Sequence, residues 1–136
     1  MNAPEKDPAL DNYRAISDAI ATLFFPHAEV VLHDLRTQKV DYIANNLSKR
    51  EIGDDSSLED MLSEDISERN IGPYEKLNWD GQKIRSLSSV LRDSEGHPLA
   101  VLHQSEYFVV RECQGGTGFV PVTEQVDSTT GLTVSR

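Results

Sequence analysis

GPYEKLNWDGQKIRSLSSVLRDSEGHPLAVL, residues 72–102, carries two turn signals that cut it into three short β-prone runs. Asn78-Trp79-Asp80-Gly81 is the first, and its Asp-Gly pair suits a tight hairpin because Gly accepts positive φ without steric penalty and Asp tolerates it. Asp93-Ser94-Glu95-Gly96-His97-Pro98 is the second, with Pro98 at the first residue of the following run, where a missing N–H matters least. The three runs read as an antiparallel meander. Three strands with both faces wet do not make a stable sheet, so the rest of the chain has to cover one of them.

Upstream, Asp7-Pro8 is an N-cap followed by Pro at the first helical position, and Leu10, Tyr13, Ile16, Ile20, Leu23 and Phe24 recur at three- and four-residue spacing. This predicts an amphipathic helix closed by Pro26, with Asp11, Arg14, Ser17 and Asp18 turned outward. Such a helix either covers the sheet or pairs with a copy of itself. Residues 28–35 (AEVVLHDL) and 40–44 (VDYIA) then form a β-hairpin across a polar turn. Residues 54–68 hold seven carboxylates and no basic residue, with a Ser56-x-x-Glu59 capping box and an apolar stripe of Leu58, Met61, Leu62 and Ile66, which predicts a short helix between the second and third strands. The fold class is therefore α+β: an antiparallel sheet with an N-terminal helix and a short helical segment.

A chain of 136 residues has room for one domain whose core needs no disulfide or metal staple. Its net charge of −10, from 23 acidic and 13 basic residues, argues against a surface that grips phosphate backbones unaided. A single cysteine, Cys113, excludes an internal disulfide framework and a thiolate-only metal cage. The first residues, MNAPEKDPALDNY, lack the basic start and apolar run of a signal peptide, and no segment approaches membrane-spanning length, so a soluble cytoplasmic protein is expected.

Few residue patterns promise chemistry. His27, Glu29 and His33 share a strand face but extend over roughly 20 Å at ~3.3 Å per residue, too far for one metal ion. DDSSLEDMLSED has the carboxylate density of a calcium loop without its alternating ligands or central Gly. Nothing matches a nucleophile elbow, a P-loop or a zinc-protease helix, and an enzyme using Asp34, Tyr42 or Tyr74 as acid or base lacks a visible partner group. The middle strand of the meander is more informative. Alternation places Ile84, Ser86, Ser88 and Val90 on one side, a mixture that lines a small hydroxyl-bearing cavity or a half-exposed subunit contact.

The phrases PHAEVVLHDL, YIANNLSKREIGDD and the whole of residues 72–102 resemble the YheO-like PAS family of bacterial transcriptional regulators, over about residues 10–102. The resemblance implies a PAS-type sensor domain ahead of a DNA-binding helix-turn-helix, responding to a small, amino-acid-like molecule; a homodimer is expected beside it from the apolar N-terminal helix. Matched positions are His33, Asp34, Asn45, Asn46, Arg50, Gly53, Ser86 and Ser88; with Tyr42 and Tyr74 added and Gly53 set aside, they are the candidate ligand-binding residues. A flavin-type relative would carry a reactive Cys, and a haem-type one an axial His, in the helical region; residues 35–95 have neither, so both cofactors are disfavoured. A stand-alone dimerisation module without ligand is the alternative reading.

After Leu102 the resemblance stops. Relatives would continue with a string like VLCINLDVSLFE, whereas this chain reads VLHQSEYFVVRE. With suitable codons for Leu102 through Arg111 and the first base of the Glu112 codon, reading from the second base of the Leu102 codon gives CINLNISLFE. Residues 103–136 are thus expected to be the product of a one-base shift of frame, with the helix-turn-helix lost and no direct binding to nucleic acid. The expected organisation is a flexible segment 1–6, a PAS-like domain over 7–110, in which HQSEYFVV extends the last strand through backbone pairing, and a tail 111–136 without regular structure.

Overall fold

A computed structural model of the chain describes residues 7–56, 69–113, 116–121, 125–126 and 133–134. Asp7 caps a 3-10 turn (Pro8–Leu10) by accepting a hydrogen bond from the Ala9 amide at 2.8 Å, and the turn leads into helix α1 (Asp11–Leu23). The strands follow as β1 (Ala28–Asp34), β2 (Lys39–Ala44), β3 (Asn70–Leu77), β4 (Lys83–Arg92) and β5 (Pro98–Cys113). They pair antiparallel in the order β2-β1-β5-β4-β3, so the hairpin of β1 and β2 joins the meander of β3, β4 and β5 through a β1–β5 ladder from Ala28↔Glu106 to Asp34↔Ala100. β1 is buried along its whole length because it lies between β2 and β5, which is why AEVVLHD shows no apolar-polar alternation.

Helix α1 lies on one face of the β1–β2–β5 half of the sheet. Leu10 and Ala21 meet Val30, Leu32, Ala44, Ala100 and Leu102 there, with Tyr13, Ile20 and Tyr42 at the margin. The helix is rotated relative to the sequence expectation. Arg14 and Ser17, expected outside, are buried at 7% and 0% exposure, while Ile16 and Leu23 stand out at 46% and 77%. Pairing overrides hydropathy at these positions. Arg14 grips the Asp41 carboxylate with two hydrogen bonds, Nε to Oδ2 at 2.8 Å and Nη2 to Oδ1 at 3.0 Å, and the Ser17 hydroxyl donates to the Tyr13 carbonyl at 2.7 Å, so neither side chain needs water.

Strand β3 contains a bulge that decides what faces where. Ile71 pairs with Ser88 and Tyr74 with Ser86, so Gly72 and Pro73 together stand opposite Leu87. Gly72 has φ +114°, and a Cβ there would lie 2.8 Å from the Ser86 carbonyl oxygen, so only glycine fits. The extra residue shifts the alternation by one, and Tyr74 and Lys76 thereby share a face with Ser86 and Ser88.

The segment after β2 begins by running along the edge of that strand, with the Val40 amide donating to the Asp54 carbonyl, Gly53 to Val40 and Ser56 to Gln38, at 2.8–3.0 Å. The rest of the predicted short helix lies outside the described residues. β5 continues past the expected domain end at residue 110 to Cys113 and pairs with β6 (Gly116–Pro121), and β7 (Gln125–Val126) pairs with β8 (Thr133–Val134); the other residues of the tail lie outside the described residues.

Candidate functional site

On the sheet face turned away from α1, registers superimpose polar residues where a core is expected. β4 contributes Ser86 and Ser88, β5 contributes His103 and Ser105 directly opposite them, β1 contributes His33, and the bulged β3 contributes Tyr74 and Lys76. Ser86, Ser88, His33, His103 and Ser105 are all buried, at 8% exposure or less. Tyr74, Lys76 and the nearby Arg50 are half-buried, so the cluster reaches the surface on the β3 side.

Hydrogen bonds link most of these groups into one chain. Tyr74 Oη lies 3.5 Å from Ser88 Oγ, Ser88 Oγ 2.8 Å from His103 Nδ1, and His103 Nε2 2.9 Å from Lys76 Nζ. Ser105 Oγ lies 3.3 Å from the same Nε2 and 2.8 Å from Ser86 Oγ. An ammonium can only donate, so His103 Nε2 accepts from Lys76 and the ring proton sits on Nδ1, directed at Ser88 Oγ. The His33 ring stands edge-on to His103 with centroids 6.3 Å apart, and its buried Nδ1 has no hydrogen-bond partner among the described residues.

The electrostatics are lopsided. Burial, then the positive charges of Arg50 and Lys76, push the His33 pKa down to about 4; burial, then Lys76, His33 and Arg50, push that of His103 down to about 3. Burial and Arg50 lower the Lys76 pKa, against a smaller opposing pull from Glu29. Glu29 is itself committed: its Oε2 accepts the Leu47 and Ser48 amides, both at 2.7 Å. Among the described residues no carboxylate lies within ion-pairing distance of Lys76 or Arg50, and no group of three or more His, Cys, Asp or Glu converges on a point where a metal could be held.

Of the residues singled out from sequence, His33, Tyr74, Ser86 and Ser88 come together here, and Arg50 contributes its charge. The others sit elsewhere. Asp34, on the α1 face, accepts from the Arg36 amide and guanidinium; Tyr42 donates to Asp18 Oδ1 at 2.7 Å; Asn45, at φ +54°, donates to the Pro26 and Ala28 carbonyls; Asn46 donates to the Arg50 carbonyl at 2.6 Å. These four shape the scaffold. Lys76, His103 and Ser105 are members that sequence reasoning missed. The bulge hid Lys76, whose face cannot be assigned until Gly72 and Pro73 are counted as one step. Pairing β5 with Ser86 and Ser88 was the available signal for the other two.

Comparisons with known proteins agree on one family. A profile of the YheO-like PAS domain matches residues 4–103. The transcriptional regulator DauR of Pseudomonas aeruginosa is 81% identical over 100 residues, which are 74% of this chain and 48% of the relative, so the chain spans about half the length of that regulator. No solved structure matches.

Proposed function

This chain belongs to the YheO-like PAS domain family, and on that premise we propose that it is a non-catalytic sensory domain of a transcriptional regulator that takes up a free small metabolite, amino-acid-like in chemistry, rather than a resident haem or flavin. The observation that carries this reading is the buried polar cluster. A sheet face that places His33, Ser86 and Ser88, all upstream of the frame-shifted segment, out of water beside a half-buried Lys76 gives up hydrophobic stabilisation that a purely structural face would keep. A ligand acts on such a domain only by binding its two states unequally. A thermal-shift screen of the chain against amino acids and their deaminated derivatives tests it. A concentration-dependent rise in midpoint that is lost in Ser88→Ala supports the reading; stabilisation by no metabolite, with an unchanged Ser88→Ala protein, sinks it.

Homodimerisation has its own support. Ile16, Leu23, Phe24 and Phe25 expose apolar surface along and beyond α1. Ile20 and Phe24 also border an open groove of about 310 Å³ that runs to Leu87 on the uncovered part of the sheet. A second copy of the chain fits this band. Light scattering of Phe25→Glu beside the parent chain tests it, a parent that is monomeric at micromolar concentration being the contrary result.

Two further readings concern the tail. The family match ends at residue 103, where the frame-shifted reading begins, and the following residues admit codons whose shifted reading gives a family-like string, which supports a one-base change as the origin of residues 103–136. The nucleotide sequence of the gene decides it. The acidic chain, with its net charge of −10, is expected not to bind an operator, and a salt-sensitive, sequence-specific gel shift is the result that contradicts this.

A further inference from the structure

We infer that the buried polar cluster is an anion site whose ligand presents a carboxylate to Lys76 on strand β3. The inference rests on the sensory reading above and adds the charge of the group recognised.

Lys76 Nζ has three protons to donate, and its hydrogen bond within the described structure goes to a neutral acceptor, His103 Nε2, at 2.9 Å. A half-buried ammonium resting on an imidazole is poorly matched, because charge-assisted pairs with an anion are about twice as strong as bonds to a neutral group. No protein carboxylate among the described residues takes that place. Glu29 is turned to the Leu47 and Ser48 amides. Arg50 adds a second positive charge that is felt by Lys76, His33 and His103 alike.

Lys76 and Arg50 are thus two half-buried cations beside this cluster in a chain whose net charge is −10. His33 supplies an independent observation. Its ring is 1% exposed, its Nδ1 is without a hydrogen-bond partner among the described residues, and it faces the same cluster. A buried polar atom left unpaired by the protein's own described groups is one that a ligand can satisfy. On binding, the carboxylate takes Lys76 Nζ from His103. His103 Nε2 is then left to Ser105 Oγ, already 3.3 Å away and able to donate. The exchange replaces a charged-to-neutral hydrogen bond by an ion pair without leaving the imidazole unpaired.

Isothermal titration at constant ionic strength tests the inference with four probes: formate and acetate as carboxylates, acetamide as the neutral isostere of acetate, and methylammonium as the cation. The expected result is binding of formate and acetate alone, with chemical-shift changes on the His103 ring. Acetate affinity should fall at least about tenfold in Lys76→Met, the loss of one charge-assisted hydrogen bond, and less in Lys76→Arg. Circular dichroism establishes that both variants fold. Acetamide binding as tightly as acetate, or acetate affinity unchanged in folded Lys76→Met, overturns the anion assignment while leaving the sensory reading to its metabolite screen. Binding of none of the four probes to the parent chain overturns it as well.

Discussion

The two faces of the sheet are built from alternate residues of the same strands, yet they solve opposite problems. Toward α1, β1 and β5 present Val30, Leu32, Ala100 and Leu102, and the buried charge on that side, Arg14, is held by Asp41 through two hydrogen bonds. Away from α1 the neighbouring positions are His33, His103 and Ser105, joined by Ser86, Ser88 and Lys76, and the positive charge there has no carboxylate at ion-pairing distance among the described residues. One face satisfies its polar groups internally and holds the fold together. Among the described residues, the other leaves an ammonium on a neutral ring and a histidine nitrogen unpaired.

That contrast can be broken most sharply at Leu32, which is fully buried under α1. Leu32→Ala should lower stability by about 4 kcal/mol, the transfer loss plus the cavity left behind, as measured by urea unfolding.

Acid attacks the opposite face. Above pH 6.5 both buried rings are neutral in the folded and the unfolded chain; below it the unfolded chain takes up protons that folded His33 refuses until about pH 4 and His103 until about pH 3. The unfolded state therefore binds more protons in this window, so stability is fully present above pH 6.5 and falls as pH drops. His33 alone accounts for roughly 3 kcal/mol of that fall. A midpoint of unfolding that does not move between pH 6.5 and 4 would show that the rings are not buried neutral.

Arg14→Met tests whether the α1 face depends on its ion pair. It leaves Asp41 with its charge and without its partner, and should cost about 2–3 kcal/mol, read from the same unfolding curves. The smallest effect is expected at Lys76, and with the opposite sign. Lys76→Met removes a charge that burial and Arg50 already disfavour, and should leave stability unchanged or raise it by up to about 1 kcal/mol. Equal losses for the two methionine variants would erase the distinction between the faces.

Much of the scaffold was legible in the chain. The turns at Asp80-Gly81 and at residues 93–98, the Asp7-Pro8 start of the helix and the β-branched run of β1 are local signals with local causes, and the strands lie where those signals put them. The orientation of α1 was not legible, because hydropathy ranks Arg14 as a surface residue and cannot see that Asp41, 27 residues away, will pair with it. The candidate site was half visible. Ser86 and Ser88 announced themselves as hydroxyls inside an otherwise apolar alternation, and His33 and Tyr74 join them. Asp34, Tyr42, Asn45 and Asn46 carry the same chemistry but are engaged by Arg36, Asp18 and backbone carbonyls, and a residue type alone does not reveal that its capacity is already used.

The bulge at Gly72 and Pro73 gives β3 an unusual relation to changes in its own length. Because both residues oppose Leu87 alone, a chain shortened by one of them would still set Tyr74 against Ser86 and Lys76 against Ile84. A side chain at Gly72, by contrast, collides with the Ser86 carbonyl, and flattening the strand to relieve it would turn Lys76 out and bring Glu75 in. At this one step the strand is more tolerant of a lost residue than of an added methyl group, and the sign of the charge that β3 places on that face depends on keeping that slack.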